Sequence, residues 1–71
     1  MSTYQDFLNV VDALSADTVF AVTYDWCTSQ GLTLQPNTAK SWGKSFANDY
    51  SSHKTIFEGR GSDNHKLYKK F

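Results

Sequence analysis

The residues with intrinsic chemical reactivity are few and badly spaced for catalysis. Cys27 is the only cysteine, so no intrachain disulfide can staple the chain. With His53 and His65 it shows no metal-ligand spacing, and it reads as a small buried apolar group rather than a nucleophile. His65 and Asp63 could form an acid/base pair, but nothing in the surrounding sequence builds a cleft around them. Gly59 and Gly61 do not make a phosphate cradle, because no strand-loop-helix context surrounds them. No cofactor motif and no triad is present, and no cofactor is expected. What remains is charge. Seven Lys and Arg balance seven Asp and Glu. Residues 1–39 nevertheless hold Asp6, Asp12, Asp17 and Asp25 with no Lys or Arg. Residues 40–71 hold Lys40, Lys44, Lys54, Arg60, Lys66, Lys69 and Lys70 against Asp49, Glu58 and Asp63. Such a split between halves points to a polyanionic partner for the second half.

The elements that must position these charges follow from the apolar periodicity. Tyr4, Phe7, Leu8, Val11 and Leu14 share one helical face, which predicts a helix over Ser2 to Leu14. Ser2 with Gln5, or Thr3 with Asp6, can form a reciprocal cap. Thr18 to Val22 is short, β-branched and apolar, and reads as a strand. Thr23 is a natural N-cap for a second helix from Tyr24 to about Gln30, which Gly31 stops. Pro36 suits the first turn of a third helix running to about Tyr50 or Ser51. Its apolar stripe is Ala39, Trp42, Phe46, Ala47 and Tyr50, a core stripe rather than a base-stacking platform. Gly43 lies beside that stripe, where the close approach of a neighbouring helix would explain it. Lys40, Ser41, Lys44, Ser45 and Asn48 occupy the opposite face. After Ser52 the period changes. Thr55–Glu58 and Lys66–Phe71 read as two strands of a hairpin, joined by the turn-forming run Gly59 to Asn64. Asn64 and His65 should shape that turn, since Asn tolerates the left-handed conformation.

At 71 residues the chain is one domain, residues 1–71, with a core that must pack well to hold. The expected core is Phe7, Leu8, Val11, Leu14, Phe20, Leu34, Trp42 and Phe46. No apolar run is long enough to span a membrane. Met1 to Asp6 lacks the basic and apolar regions of a secretory leader, so a reducing, cytoplasmic setting is expected.

The order helix, strand, helix, helix, strand, turn, strand resembles the winged helix-turn-helix domain, an α+β fold. The carrying residues are the Thr23-capped second helix, the Gly31-Leu32-Thr33-Leu34 turn, the third helix from Pro36, and the Ile56 to Phe71 hairpin. The stretch Pro36 to Phe46 is similar to the third helix of small bacterial and phage members, and Gly61 to His65 looks like a wing. The resemblance implies a non-catalytic protein that binds double-stranded DNA, such as a transcriptional regulator or an accessory factor of a phage or mobile element. It implies a recognition face of Lys40, Ser41, Lys44, Ser45 and Asn48, with Gln35, Asn37 and Thr38 at the helix entrance. The implied wing contacts are Arg60, Ser62, Asn64 and Lys66. Lys neutralises phosphate, Asn pairs with adenine edges, and Ser or Thr bonds to either. The third helix departs from the commonest pattern, because it has no Arg to pair with guanine. Weak binding by a monomer, or a need for a dimer or a second protein, is therefore expected. The alternative is a winged-helix module that docks protein, such as a phage-encoded inhibitor of a host protein.

Overall fold

A computed structural model describes residues 1–71. The first helix, α1 (Tyr4–Asp12), opens on a capping box. Thr3 Oγ1 accepts from the Asp6 amide at 3.1 Å, and the Asp6 carboxylate accepts from the Thr3 amide at 2.8 Å. Of the two caps the sequence allows, the Thr3–Asp6 pair forms. Ser2 instead ties the N-terminus to the loop before the third helix, by its amide to Thr33 O and its hydroxyl to the Thr33 amide. The helix ends at Asp12, two residues short of the expected Leu14.

Strand β1 (Val19–Ala21) follows, then helix α2 (Tyr24–Ser29). The Thr23 hydroxyl accepts from the Trp26 amide at 3.1 Å, as the cap pattern requires. At the other end Gly31 adopts φ +86°, its amide bonds Thr28 O, and the Leu32 amide bonds Cys27 O. This paired closure needs a left-handed residue that glycine adopts without strain, and it turns Leu32 into the core. Helix α3 (Pro36–Asp49) starts on Pro36 and passes into a 3-10 turn, Tyr50–His53, before Lys54 reverses the chain at φ +57°.

The hairpin consists of β2 (Thr55–Arg60) and β3 (Lys66–Lys70). Strand β2 runs two residues beyond the expected Glu58, because a bulge at Glu58 lets Gly59 and Arg60 continue the pairing. Phe57 pairs with Tyr68 and Gly59 with Leu67, leaving Glu58 unpaired, and Gly59 takes φ +111°. All strands are antiparallel in the order β1-β3-β2, so the last strand is the central one. The molecule is thus a small α+β domain of three helices and a three-stranded antiparallel sheet.

The core lies between the sheet and the helices, and aromatic rings dominate it. Phe7 is fully buried and meets Trp42 at 5.5 Å, Phe46 at 5.4 Å and Trp26 at 6.2 Å between ring centroids. Phe20 stacks on Trp26 at 4.9 Å, and Phe46 meets Tyr68 edge-on at 4.9 Å. Such pairs add to the area that each ring removes from water. Every residue of the expected core is buried except Leu14, which lies past the end of α1 and is half-buried. Tyr68 was not expected there. It sits on the inner row of the sheet, opposite Phe20 on one side and Phe57 on the other. The next row, Val19–Lys69–Ile56, faces the other way and leaves Val19 and Ile56 exposed.

Candidate functional site

An open cleft of about 550 Å³ lies between the entry to α2, one stripe of α3 and the hairpin. Its α3 wall is Pro36, Ala39, Lys40, Gly43 and Lys44, spaced three and four apart as neighbours on a helix must be. The α2 side supplies Val22, Thr23, Tyr24 and Asp25, and the hairpin supplies Arg60, Asn64, His65 and Lys66. His65 therefore does line a cleft, contrary to the sequence reading. Its imidazole is 3.9 Å from the Asp63 carboxylate and both are exposed, so the two do not form an enclosed dyad.

The cleft gathers Lys40, Lys44, Arg60, Asn64 and Lys66 from the expected site. Asn37, Thr38, Ser41, Ser45 and Asn48 do not line it. Asn37, Ser41, Ser45 and Asn48 are exposed on the remaining polar surface of α3, while Thr38 is half-buried. Asn48 also turns back on its own helix, its amide donating to Lys44 O at 3.4 Å. Helix α3 thus carries two polar stripes, one of cations toward the cleft and one of amides and hydroxyls beside it. Sequence reading merged them into one face. Gly43 lies in the cleft wall, against Val22 in the segment between β1 and α2 rather than against a helix. A Cβ there would lie 3.7 Å from Val22 O, an ordinary contact.

The hairpin end is built to hold its cations in place. Asn64 takes φ +66°, its amide bonds Gly61 O, and the Gly61 amide bonds His65 O. Arg60 Nη1 donates to Asn64 O at 3.1 Å, which leaves the other guanidinium donors free. No carboxylate comes within 4 Å of Lys40, Lys44, Arg60 or Lys66, and none of the three pairs, His53–Asp12, His65–Asp63 and Lys69–Asp17, involves them. Four cations therefore face one cleft against a single carboxylate, Asp25. Two other cations of the second half are spoken for. Lys69 pairs with Asp17 at 3.5 Å, and Lys70 is buried with its ammonium on the Asp12 and Leu14 carbonyls. Asp49 is engaged as well, accepting from the Tyr4 hydroxyl at 2.8 Å. Burial, then the Asp49 carboxylate, raises the Tyr4 phenol well above its usual range.

Cys27 is fully buried, and burial pushes its thiol up to about 11. The folded value lies above the ordinary value of 9.0, so the thiol contribution to stability is complete below pH 9 and is lost as pH rises toward 11. At pH 8 a native sample should react with iodoacetamide only as fast as it opens, and denaturant should accelerate the reaction strongly. Prompt stoichiometric labelling of the folded protein would show that Cys27 is accessible.

The sequence matches no protein-family model, and no curated protein or solved structure resembles the chain significantly. No helix is long and apolar enough to cross a membrane.

Proposed function

We propose that the chain is a non-catalytic DNA-binding domain of the winged helix-turn-helix type, acting in the cytoplasm as a regulator or accessory factor. One observation carries the reading: Lys40 and Lys44 from α3 meet Arg60 and Lys66 from the hairpin around one open cleft, with no carboxylate paired to any of them. Sugar-phosphate backbone is the partner such a cleft suits, because each cation can neutralise a phosphate and release its counterions. The neighbouring stripe of Asn37, Ser41, Ser45 and Asn48 supplies donors and acceptors that suit base edges of a duplex laid along α3. That hairpin residues and α3 residues line the same cleft supports reading the hairpin as a wing.

Titration of random duplex at several salt concentrations tests this. Affinity should fall with a log–log slope of about −0.9 per phosphate neutralised. Lys44→Ala should weaken binding to all sequences alike and flatten that slope by about one unit. Shift changes absent from α3 and the hairpin at millimolar duplex would reject DNA binding. A protein-docking role would then be the better reading. It draws on the outer face of the sheet, where Val19 is 52% and Ile56 39% exposed.

A further inference from the structure

The cationic rim explains only part of the cleft. Beside the cations the cleft is lined by apolar or small residues, Val22, Pro36, Ala39 and Gly43. Tyr24 stands at one side, 41% exposed, and stacks on no other aromatic ring of the protein. A duplex that touches the protein only through phosphates would meet the four cations and leave this lining facing water. Its volume of about 550 Å³ lies within the usual range for small-ligand pockets, about 300–1,000 Å³. The occupant that matches both parts carries negative charge outside and a flat, largely apolar ring inside. An unpaired nucleotide of a DNA strand has that chemistry, because every base offers a π-face to an aromatic side chain while its flanking phosphates stay with the cations.

We infer that the cleft takes one unpaired DNA nucleotide, its base against Tyr24 and the apolar wall, its phosphates on Lys40, Lys44, Arg60 and Lys66. The inference rests on the DNA-binding reading and narrows its substrate to DNA with a frayed end, a fork or a single-stranded tail. Asp25 belongs to this arrangement as the one carboxylate in the cleft, able to accept a hydrogen bond from a base N–H such as thymine N3–H. A purely electrostatic trap would gain nothing from a carboxylate there.

Three fluorescent DNA hairpins and one competitor test the inference by anisotropy, each compared at matched salt over several salt concentrations. The hairpins are a blunt one, the same hairpin with a three-nucleotide thymidine tail, and that hairpin with an abasic tail of equal charge; the competitor is free thymidine monophosphate. The thymidine tail should raise affinity about 5- to 150-fold over the blunt hairpin, the range of one base stacked on an aromatic ring. The abasic tail should give little of that gain, and the mononucleotide should compete only weakly for want of flanking phosphates. Tyr24→Ala should abolish the base-dependent gain and leave the salt slope unchanged, while Tyr24→Phe should keep it. Near-ultraviolet circular dichroism confirms that both variants fold. Equal binding of thymidine and abasic tails, or an unaffected Tyr24→Ala, would overturn the inference and leave duplex binding standing. Failure of all DNA ligands at low salt would remove the DNA-binding reading itself.

Discussion

Trp42→Ala should abolish cooperative folding near physiological temperature. The ring is 5% exposed, sits on the inward stripe of α3 and packs at 5.5 Å against Phe7, which itself touches three other rings of the core. Cutting a buried Trp to Ala costs about 3–5 kcal/mol, the lost transfer free energy plus the cavity left behind. A domain of this length holds only about 4–11 kcal/mol in total, at about 0.05–0.15 kcal/mol per residue. Each kcal/mol moves the melting midpoint by about 4–8 °C in so small a domain, so a drop of at least ten degrees is expected. Trp42→Phe should recover much of the loss. Thermal melts followed by far-ultraviolet circular dichroism check both variants. An unchanged melt for Trp42→Ala would mean that this face of α3 is not the inward one, and the cleft cations could not then point outward as described.

The second large effect belongs to Lys70. Its side chain enters from β3, the residue is 5% exposed, and Nζ donates to Asp12 O at 2.9 Å and Leu14 O at 3.0 Å. Helix α1 has no basic residue in its own last turn. The ammonium therefore does two jobs at its C-terminus, satisfying orphan carbonyls and meeting the negative end of the helix dipole. Lys70→Met keeps most of the apolar stem and removes the donor. We expect a loss of about 2–4 kcal/mol, since hydrogen bonds from charged groups are worth more than neutral ones and two carbonyls lose their partner. Urea unfolding gives the magnitude. Amide exchange should accelerate first over residues 12–14, which separates loss of the cap from general weakening. A loss under about 0.5 kcal/mol would mean that water replaces the ammonium at no cost.

Local signals in the sequence located most of the helical layer. Thr3 with Asp6, Thr23, Gly31 and Pro36 each act within a few residues, and the backbone follows them. Lys70 acts across 58 residues, and no local pattern distinguishes a lysine that caps a distant helix from one that faces a partner. Tyr68 was hidden for a related reason. Lysines surround it in sequence, and only the pairing of β3 with strands on both sides shows that its row is the covered one. At the site, the types of residue were legible and their division was not. Lys44 and Ser45 are adjacent in sequence, yet one lines the cleft and the other does not, because adjacent helical residues point about 100° apart and the cleft borders one stripe of α3. Tyr24 and Asp25 went unread as cleft residues because they belong to α2, where the first marked a helix start and the second a favourable charge in its first turn.

The central position of β3 also bears on how the chain is made. Ala21 ends β1, and Lys66 begins the strand that pairs with it, 45 residues later. At about 5–20 residues per second, the ribosome leaves β1 without a neighbour for about 2–9 s. During that interval Val19, Phe20 and Ala21 form a lone apolar edge in the nascent chain, the kind of segment that recruits strands from other chains. Strand β1 is only three residues long, and Asp17 stands two residues ahead of it. A strand so short offers few backbone bonds to a stranger, while in the finished fold the same three residues complete the sheet.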